Sequence, residues 1–206
     1  MRHLEAPPAA DLGVRQTRGA MDSRRTVFLD LNGTLVAPVV VERLQDLTLI
    51  AGVSEAIARL SRTGYVCPVV TVQSRIEKGL FSEADFRAWF GCLSRELAAA
   101  GAYVVGPYVC PHRFRTPCAC KKPQTLLYER AAVEHGLELR DAYVVGDSAA
   151  DIEAALRFGG RGCFVSSGCV TEDADCARGM AKCSRDSMAE VVDWILAEGA
   201  AEQQCS

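Results

Sequence analysis

Four polar side chains have the types and positions that chemistry on a phosphate group would need. Asp30 follows the apolar run of residues 26–29, Thr71 ends a later apolar run, and Asp147 follows a third. Lys122 adds a cation between the last two. Two carboxylates, a hydroxyl and an amine suit phosphoryl transfer, because that reaction depends mainly on positioning and on neutralising negative charge.

A second group of side chains has the spacing of a metal site. Cys110, His112, Cys118 and Cys120 lie within eleven positions. Four sulfur and nitrogen ligands so close together favour a closed tetrahedral zinc site, and closed sites of this type are structural. The alternative is a loop that carries unligated, reduced thiols.

Strands and helices are predicted to alternate around these residues. Ser82 and Asp85 resemble a capping box that opens one of the helices. The apolar patterns predict strands over 26–29, 65–70, 103–109, 142–145 and 163–165, and helices over 52–62, 82–100, 124–135, 149–157 and 187–196. We therefore expect an α/β fold with a Rossmann-like, doubly wound, mostly parallel sheet.

The candidate residues follow the predicted strands. Asp30, Thr71, Cys110 and Asp147 stand at or just after strand ends. Ligands of such sheets bind beyond the carboxyl ends of the strands. The site is expected at that edge.

Composition narrows the classes of protein that remain. The chain has 206 residues and a net charge of −3, without a dense stripe of basic residues, which argues against a nucleic-acid partner. No apolar run reaches the roughly 18 to 20 residues that a membrane span needs, and no signal segment opens the chain. We expect a cytoplasmic monomer with a flexible leader (1–25), one domain (26–197) and a tail (198–206), acting on a small phosphorylated metabolite without nucleic-acid or membrane partners.

The chain holds ten cysteines, which without a signal peptide indicate metal binding, redox chemistry or core packing. The scattered cysteines fit the role of small buried or tail residues; they are Cys67, Cys92, Cys163 and Cys205. Cys169, Cys176 and Cys183 recur every seven residues. Without a paired Cys-x-x-Cys or a histidine, this recurrence is weak evidence for a second metal site.

The segment Val27-Phe28-Leu29-Asp30-Leu31-Asn32-Gly33-Thr34-Leu35 resembles the first motif of the haloacid dehalogenase superfamily. Thr71, Lys122 and the segment Gly146-Asp147-Ser148-Ala149-Ala150-Asp151 resemble the three further motifs, in the expected order. The resemblance covers about residues 26 to 170. It implies an Mg²⁺-dependent phosphatase with no large cap domain.

The resemblance also implies roles for individual residues. Asp30 would attack phosphorus and become an aspartyl phosphate. Mg²⁺ would be bound by Asp30, Asp147 and the main-chain carbonyl of Asn32. Thr71 would hydrogen-bond a phosphate oxygen, and Lys122 would offset negative charge.

A zinc loop directly before the motif lysine resembles the D-glycero-D-manno-heptose 1,7-bisphosphate phosphatases and the histidinol-phosphate phosphatases. The stretch Thr71-Val72-Gln73-Ser74-Arg75-Ile76-Glu77-Lys78-Gly79 is similar to that of the heptose enzymes, which favours them and a role in carbohydrate metabolism. The expected substrate-binding residues are Gln73, Ser74, Arg75, Lys78, Lys121 and Ser148. Lys121 takes the place of the phosphate-binding arginine of that family.

Three positions depart from the family pattern. Asn32 stands where the phosphatases carry a second aspartate that protonates the leaving group and later activates water. An amide cannot do this, and general acid-base catalysis typically contributes a factor of about 10² to 10⁴. Val72 and Arg75 also differ from the heptose enzymes. The sequence thus leaves open an impaired phosphatase or a relative that binds a phosphorylated ligand without hydrolysing it.

Overall fold

The computed structural model describes residues 25–166 and 172–204. The expected leader, except Arg25, lies outside these ranges, as do Cys169 and Cys205. No helix within them is both long enough and apolar enough to cross a membrane.

A six-stranded sheet forms the centre of the fold. The strands are β1 (Val27–Leu29), β4 (Pro68–Val72), β5 (Val105–Cys110), β6 (Tyr143–Gly146), β7 (Arg161–Val165) and β8 (Cys183–Arg185), and two further short strands, β2 (Val36–Ala37) and β3 (Thr48–Leu49), pair separately. The order in the large sheet is β5-β4-β1-β6-β7-β8, and every pairing in it is parallel. This confirms the predicted fold class.

Helices cover both faces of the sheet. They are α1 (Val53–Arg62), α2 (Ser74–Glu77), α3 (Glu83–Ala99), α4 (Leu126–His135), α5 (Ala149–Arg157), α6 (Ala174–Met180) and α7 (Met188–Gln204). Alternate residues of β1 point to opposite faces: Val27 and Leu29 pack with α1, α3 and α7, whereas Phe28 packs with α4 and α5. The sheet is thus buried on both sides, as its apolar strands require.

Most predicted elements lie within a few residues of their expected bounds, and the capping box is present. The Ser82 hydroxyl accepts from the backbone N–H of Asp85, and the Asp85 carboxylate accepts from the backbone N–H of Ser82. The second strand was misplaced: it begins at Pro68 instead of Tyr65, and its pairing with β5 shifts register between Pro68 and Val70. Thr71 therefore lies inside β4.

The C-terminal prediction needs a larger correction. Residues 198–204, expected in a tail, continue α7 to Gln204. Alanine, glutamate and glutamine are strong helix formers, so the helix continues past the last apolar residue of its buried face. The end of α7 is attached to the domain by an ion pair of 2.6 Å between Glu202 and Arg161.

The sequence analysis also missed the short elements. It predicted neither the β2–β3 pair nor α2, α6 and β8, all of which have at most seven residues. α2 and α6 span at most two helical turns, too few to show a helical period, and β2, β3 and β8 have only two or three residues each.

Candidate active site

The order of the strands within the sheet creates a site beside β1. From β1 the sheet continues outward through β4 and β5 on one side and through β6, β7 and β8 on the other. Asp30 directly follows β1 and Asp147 directly follows β6. Their carboxylates therefore meet at the point where the strand order reverses, which is the usual ligand position in open parallel sheets.

Three buried carboxylates surround the amine of Lys122. The Lys122 Nζ donates to Oδ1 of Asp30 and, at 2.6 Å, to Oδ1 of Asp151. Oxygens of Asp30, Asp147 and Asp151 all lie within 4.8 Å of one another. One buried cation thus faces three buried acids.

Two glycines make this close packing possible. Gly33 has φ +90, and a Cβ at its position would lie 1.9 Å from Oδ2 of Asp147. A Cβ at Gly146 would lie 2.2 Å from Cγ of Asp151. Any side chain at either position would displace a carboxylate, which explains both glycines of the motifs.

The negative charge of the buried carboxylates favours the binding of a cation. Burial and the neighbouring Asp30 charge raise the pKa of Asp147 to about 8. Burial, opposed by Lys122, raises the pKa of Asp30 to about 6. Three carboxylates and one lysine leave an excess of negative charge that a hard divalent cation with oxygen ligands would neutralise.

Asp151 is a residue whose role the sequence analysis missed. Its exposure is 2%, its Oδ1 binds Lys122, and its Oδ2 accepts from the Ser148 hydroxyl at 2.5 Å. Both oxygens therefore have protein partners, and Asp151 positions Lys122. The signal was its place four residues after Asp147, which sets it in the first turn of α5, facing back to the sheet.

An amide network fixes Asn32. The Gln73 Nε2 donates to Oδ1 of Asn32 at 2.6 Å and to Oγ1 of Thr71 at 2.9 Å. The Asn32 Nδ2 is buried and has no hydrogen-bond partner among the residues that the structure describes. Because Gln73 donates to both residues, the Nδ2 hydrogens of Asn32 and the hydroxyl hydrogen of Thr71 remain available to other acceptors.

A cavity of about 370 Å³ opens above the carboxylates. Its polar lining consists of Asp30, Asn32, Thr71, Arg75, Lys121, Lys122, Asp147, Ser148 and Asp151. Gln73 lies behind Asn32 and Thr71, while Ser74 and Lys78 are not in the lining. The structure thus brings together most, but not all, of the predicted site residues.

Lys121 has a different environment from the expected one. Its Nζ donates to the carbonyl oxygens of Arg113, Phe114 (2.8 Å) and Thr116 (3.1 Å). An ammonium has three donors. A phosphate contact by Lys121, which stays a prediction, would have to replace one of these bonds.

The Cys/His cluster matches tetrahedral geometry. The sulfurs of Cys110 and Cys118 are 3.8 Å apart, and the Cys120 sulfur and His112 Nδ1 are 3.2 Å apart. Zinc–sulfur bonds of about 2.3 Å place two ligand sulfurs about 3.8 Å apart at the corners of a tetrahedron. Burial opposes ionisation of Cys118, but hydrogen bonds from the backbone N–H groups of Cys120 and Lys121 lower its pKa to about 7, which favours metal binding.

The cysteines that recur every seven residues form no comparable cluster in the described parts of the chain. Cys176 is exposed on α6, and Cys183 is buried in β8 beside Cys163. Cys67 and Cys163 are buried core residues, as expected, whereas Cys92 is exposed on α3, so the expectation was wrong there.

Comparison with known proteins agrees with this architecture. The hydrolase-like family model, described as HAD-hydrolase-like, matches residues 119–193. The D-glycero-beta-D-manno-heptose-1,7-bisphosphate 7-phosphatase of Photorhabdus laumondii is 33% identical over 137 residues, which cover 63% of this chain and 73% of the relative. The D-glycero-D-manno-heptose-1,7-bisphosphate 7-phosphatase of Thermosynechococcus vestitus is 35% identical over 157 residues, covering 70% and 80%.

Solved structures share the fold. The D,D-heptose 1,7-bisphosphate phosphatase of B. bronchiseptica, solved with magnesium and phosphate, superposes with a TM-score of 0.74 at 26% identity, covering 84% of this chain and 99% of that one. A phosphoserine phosphatase in a phospho-aspartyl intermediate analogue superposes with a TM-score of 0.56 at 14% identity, covering 84% of this chain and 99% of that one, which is a likeness of fold alone.

Proposed function

Because the chain belongs to the haloacid dehalogenase-like hydrolases, we propose that the cavity beside β1 is the active site of a phosphatase with Asp30 as its nucleophile. The observation that carries the proposal is the buried contact of Asp30 with Lys122, at the carboxyl end of β1 and facing Asp147. Lys122 keeps Asp30 ionised and oriented, and a nucleophilic carboxylate requires both. The substrate is a small phosphorylated metabolite.

Mg²⁺ fits the oxygen ligands at this site. Asp30, Asp147 and the main-chain carbonyl of Asn32 would hold it, since both oxygens of Asp151 have protein partners. When bound, the cation would neutralise charge on the phosphate. Zn²⁺ fits Cys110, His112, Cys118 and Cys120, where it would fix the loop before Lys122.

In the first step, a carboxylate oxygen of Asp30 forms a bond to phosphorus while the bond from phosphorus to the ester oxygen breaks. The Thr71 hydroxyl and the Asn32 Nδ2 can donate to oxygens of the transferring group. The amide of Asn32 can donate a hydrogen bond but cannot transfer its proton to the leaving group. The leaving group therefore departs as an anion or takes its proton from water. In the second step, water attacks the aspartyl phosphate without help from a base at position 32.

The substrate proposed from the relatives is a heptose bisphosphate. The relatives are heptose bisphosphate phosphatases by name, and the chain shares about a third of its residues with them over most of its domain. Histidinol phosphate is the alternative named by the second resemblance. Val72 and Arg75 depart from the pattern of the heptose enzymes.

A non-hydrolysing function is the second candidate, and Asn32 is the observation that favours it. A ligand-binding protein would need the cavity and its cations but no general acid. It would not need Asp30 as a nucleophile.

A screen of phosphate esters with purified protein and Mg²⁺ tests the proposal. Wild-type protein is expected to release phosphate from at least one ester, and Asp30→Asn is expected to abolish the release. Binding of phosphorylated ligands without release, by wild type and by Asn32→Asp, would favour the second candidate.

A further inference from the structure

The cavity above the carboxylates suits a polar ligand. Nine of its fourteen lining residues carry polar or charged side chains, and its volume of about 370 Å³ is that of a small-molecule site. Two apolar residues of the lining, Val40 and Phe114, are largely exposed, so this side of the cavity is open to water. Which groups of a ligand the cavity recognises therefore depends on its charged side chains.

Two of the three cations in the lining already have protein partners. Lys122 donates to Asp30 and to Asp151, which leaves one of its three ammonium hydrogens for a phosphate. Lys121 donates to the carbonyl oxygens of residues 113, 114 and 116, which uses all three of its hydrogens. Lys121 thus has no donor left for a ligand.

The contacts of Lys121 give it a structural role in the loop before α4. The Glu77 carboxylate, at the end of α2, accepts from the Arg113 backbone N–H and from the Thr116 hydroxyl at 3.0 Å. Lys121 and Glu77 therefore hold the same short segment, one through its carbonyl groups and the other through its hydrogen-bond donors. A move of Lys121 toward a ligand would release one side of this segment.

Arg75 is in the opposite situation. It is half-buried and lines the cavity, and its side chain has no hydrogen-bond or ion-pair partner in the parts of the chain that the structure describes. Burial lowers its pKa, and no acidic group offsets that effect. A charge that is removed from water without a partner costs free energy, which a bound anion would offset. A guanidinium is well suited to this task, because it can donate two parallel hydrogen bonds to one phosphate.

The position of Arg75 separates it from the reacting centre. Arg75 belongs to α2, which follows β4, whereas Asp30 follows β1, and both residues line the same cavity. A phosphate at Asp30 is served by Lys122, so an anion at Arg75 must belong to another part of the ligand. A ligand with a phosphate at each end meets this requirement.

We propose that Arg75, in place of the contact expected of Lys121, binds the phosphate that a sugar bisphosphate retains while its other phosphate reacts at Asp30. The inference rests on the proposed phosphatase function and adds that the substrate carries two phosphates. It also connects two departures from the heptose enzymes: a lysine at position 121 in place of their phosphate-binding arginine, and an arginine at position 75 in place of their glycine.

The test compares D-glycero-D-manno-heptose 1,7-bisphosphate with the same heptose carrying only the 7-phosphate, in the presence of Mg²⁺. Arg75→Ala should lower kcat/KM for the bisphosphate about tenfold to a hundredfold more than for the monophosphate, since hydrogen bonds to a charged group are lost only with the former. Arg75→Lys keeps the charge but not the planar fork, so its loss should lie between those of wild type and Arg75→Ala.

Lys121→Ala separates the two cations. It acts through the loop, so it should change kcat/KM for both sugars by the same factor. It should also lower the melting temperature, because three carbonyl groups lose their donor, whereas Arg75→Ala should melt like wild type. Arg130→Ala, at an exposed cation of α4 outside the cavity, is the matched control and should leave the ratio for the two sugars unchanged.

An equal loss for both sugars in Arg75→Ala would overturn the inference and leave the phosphatase intact. A larger loss for the bisphosphate in Lys121→Ala than in Arg75→Ala would do the same, as would hydrolysis of other esters but of neither sugar. If no ester at all is hydrolysed, the phosphatase proposal fails, and calorimetry with the two sugars decides. Tighter binding of the bisphosphate that depends on Arg75 would support this phosphate site, whereas equal affinities or no binding would overturn it.

Discussion

At the scale of single residues, the contacts of Lys122 explain how three acids can be buried together. Its side chain is 5% exposed and bridges Asp30 and Asp151. Burial alone would lower the pKa of this lysine, but the two carboxylates raise it well above its ordinary value. The two carboxylates therefore favour the charged form of Lys122, and we expect this residue to serve both stability and phosphate binding.

Removing this charge should destabilise the protein. Breaking a buried ion pair from one side typically costs about 3–5 kcal/mol, because the remaining charge has no compensation. We expect a loss of this size in the free energy of unfolding for Lys122→Met, measured by urea denaturation at pH 8 with a metal chelator present. Lys182→Met, at an exposed position, is the control and should unfold like wild type. Equal stability of all three proteins would show that the bridge is not structural.

At the scale of elements, the loop between β5 and α4 connects the Cys/His cluster with the active site. Cys110 ends β5, Cys120 precedes Lys121 and Lys122, and Phe114 lies between them. A metal at the cluster would hold both ends of the loop. Its loss should therefore affect the site as well as the fold.

We predict one zinc per chain and its loss from the double variant Cys118→Ala/Cys120→Ala. Elemental analysis of washed protein measures the metal, and limited proteolysis near residues 113–117 measures the order of the loop. Cys92→Ala, at an exposed cysteine outside the cluster, is the control and should retain zinc. A wild-type protein without zinc, or unchanged zinc in the double variant, would reject the site.

The same loop shows the limit of sequence reasoning. Most strands of the large sheet were predictable because continuous apolar runs mark them, and Asp30 and Asp147 were placed correctly because they follow such runs. The positions of Phe114 and Val40 depend on how two loops converge, and no local pattern encodes that. The partners of Lys121 are three carbonyl groups, which composition cannot distinguish from a phosphate. Residues 198–204 were misassigned because their helix lacks apolar spacing.

At the scale of the whole molecule, the parallel sheet concentrates negative charge at one edge. The pKa values of Asp30 and Asp147 are raised to about 6 and about 8. Without a cation, the folded protein therefore holds protons that the unfolded chain releases near pH 4. This contribution to stability is fully present below that pH and is lost as the pH rises through about 6 and then about 8.

The gain in melting temperature from Mg²⁺ should consequently be larger at pH 8.5 than at pH 5.5, because the cation binds the ionised carboxylates. Thermal unfolding with Mg²⁺ or with a chelator at both pH values measures it. Asp147→Asn is the control, in which the gain should nearly disappear. The same gain at both pH values would contradict a site built from these carboxylates.

We propose above that Asp30 is a nucleophile that works without its general acid-base partner. Because Gln73 holds Asn32 and an amide at position 32 cannot act as a base toward water, the second step should be slower than the first. An aryl phosphate should then leave a phosphoryl group on Asp30. The Asn32→Asp variant should not accumulate it and should turn over faster by about 10² to 10⁴. Since Asn32 precedes Gly33 and can deamidate, the mass of the starting protein must first exclude conversion to Asp.

The most direct measurement is the intact mass of acid-quenched protein after brief incubation with phenyl phosphate and Mg²⁺, with the modified residue located by peptide fragmentation. We expect one added phosphoryl group, located on Asp30, in the wild type, and none in Asp30→Asn. A wild type that stays unmodified but releases phosphate at least as fast as Asn32→Asp would contradict the assignment of Asp30 as the nucleophile. An adduct that persists in Asp30→Asn would contradict it as well.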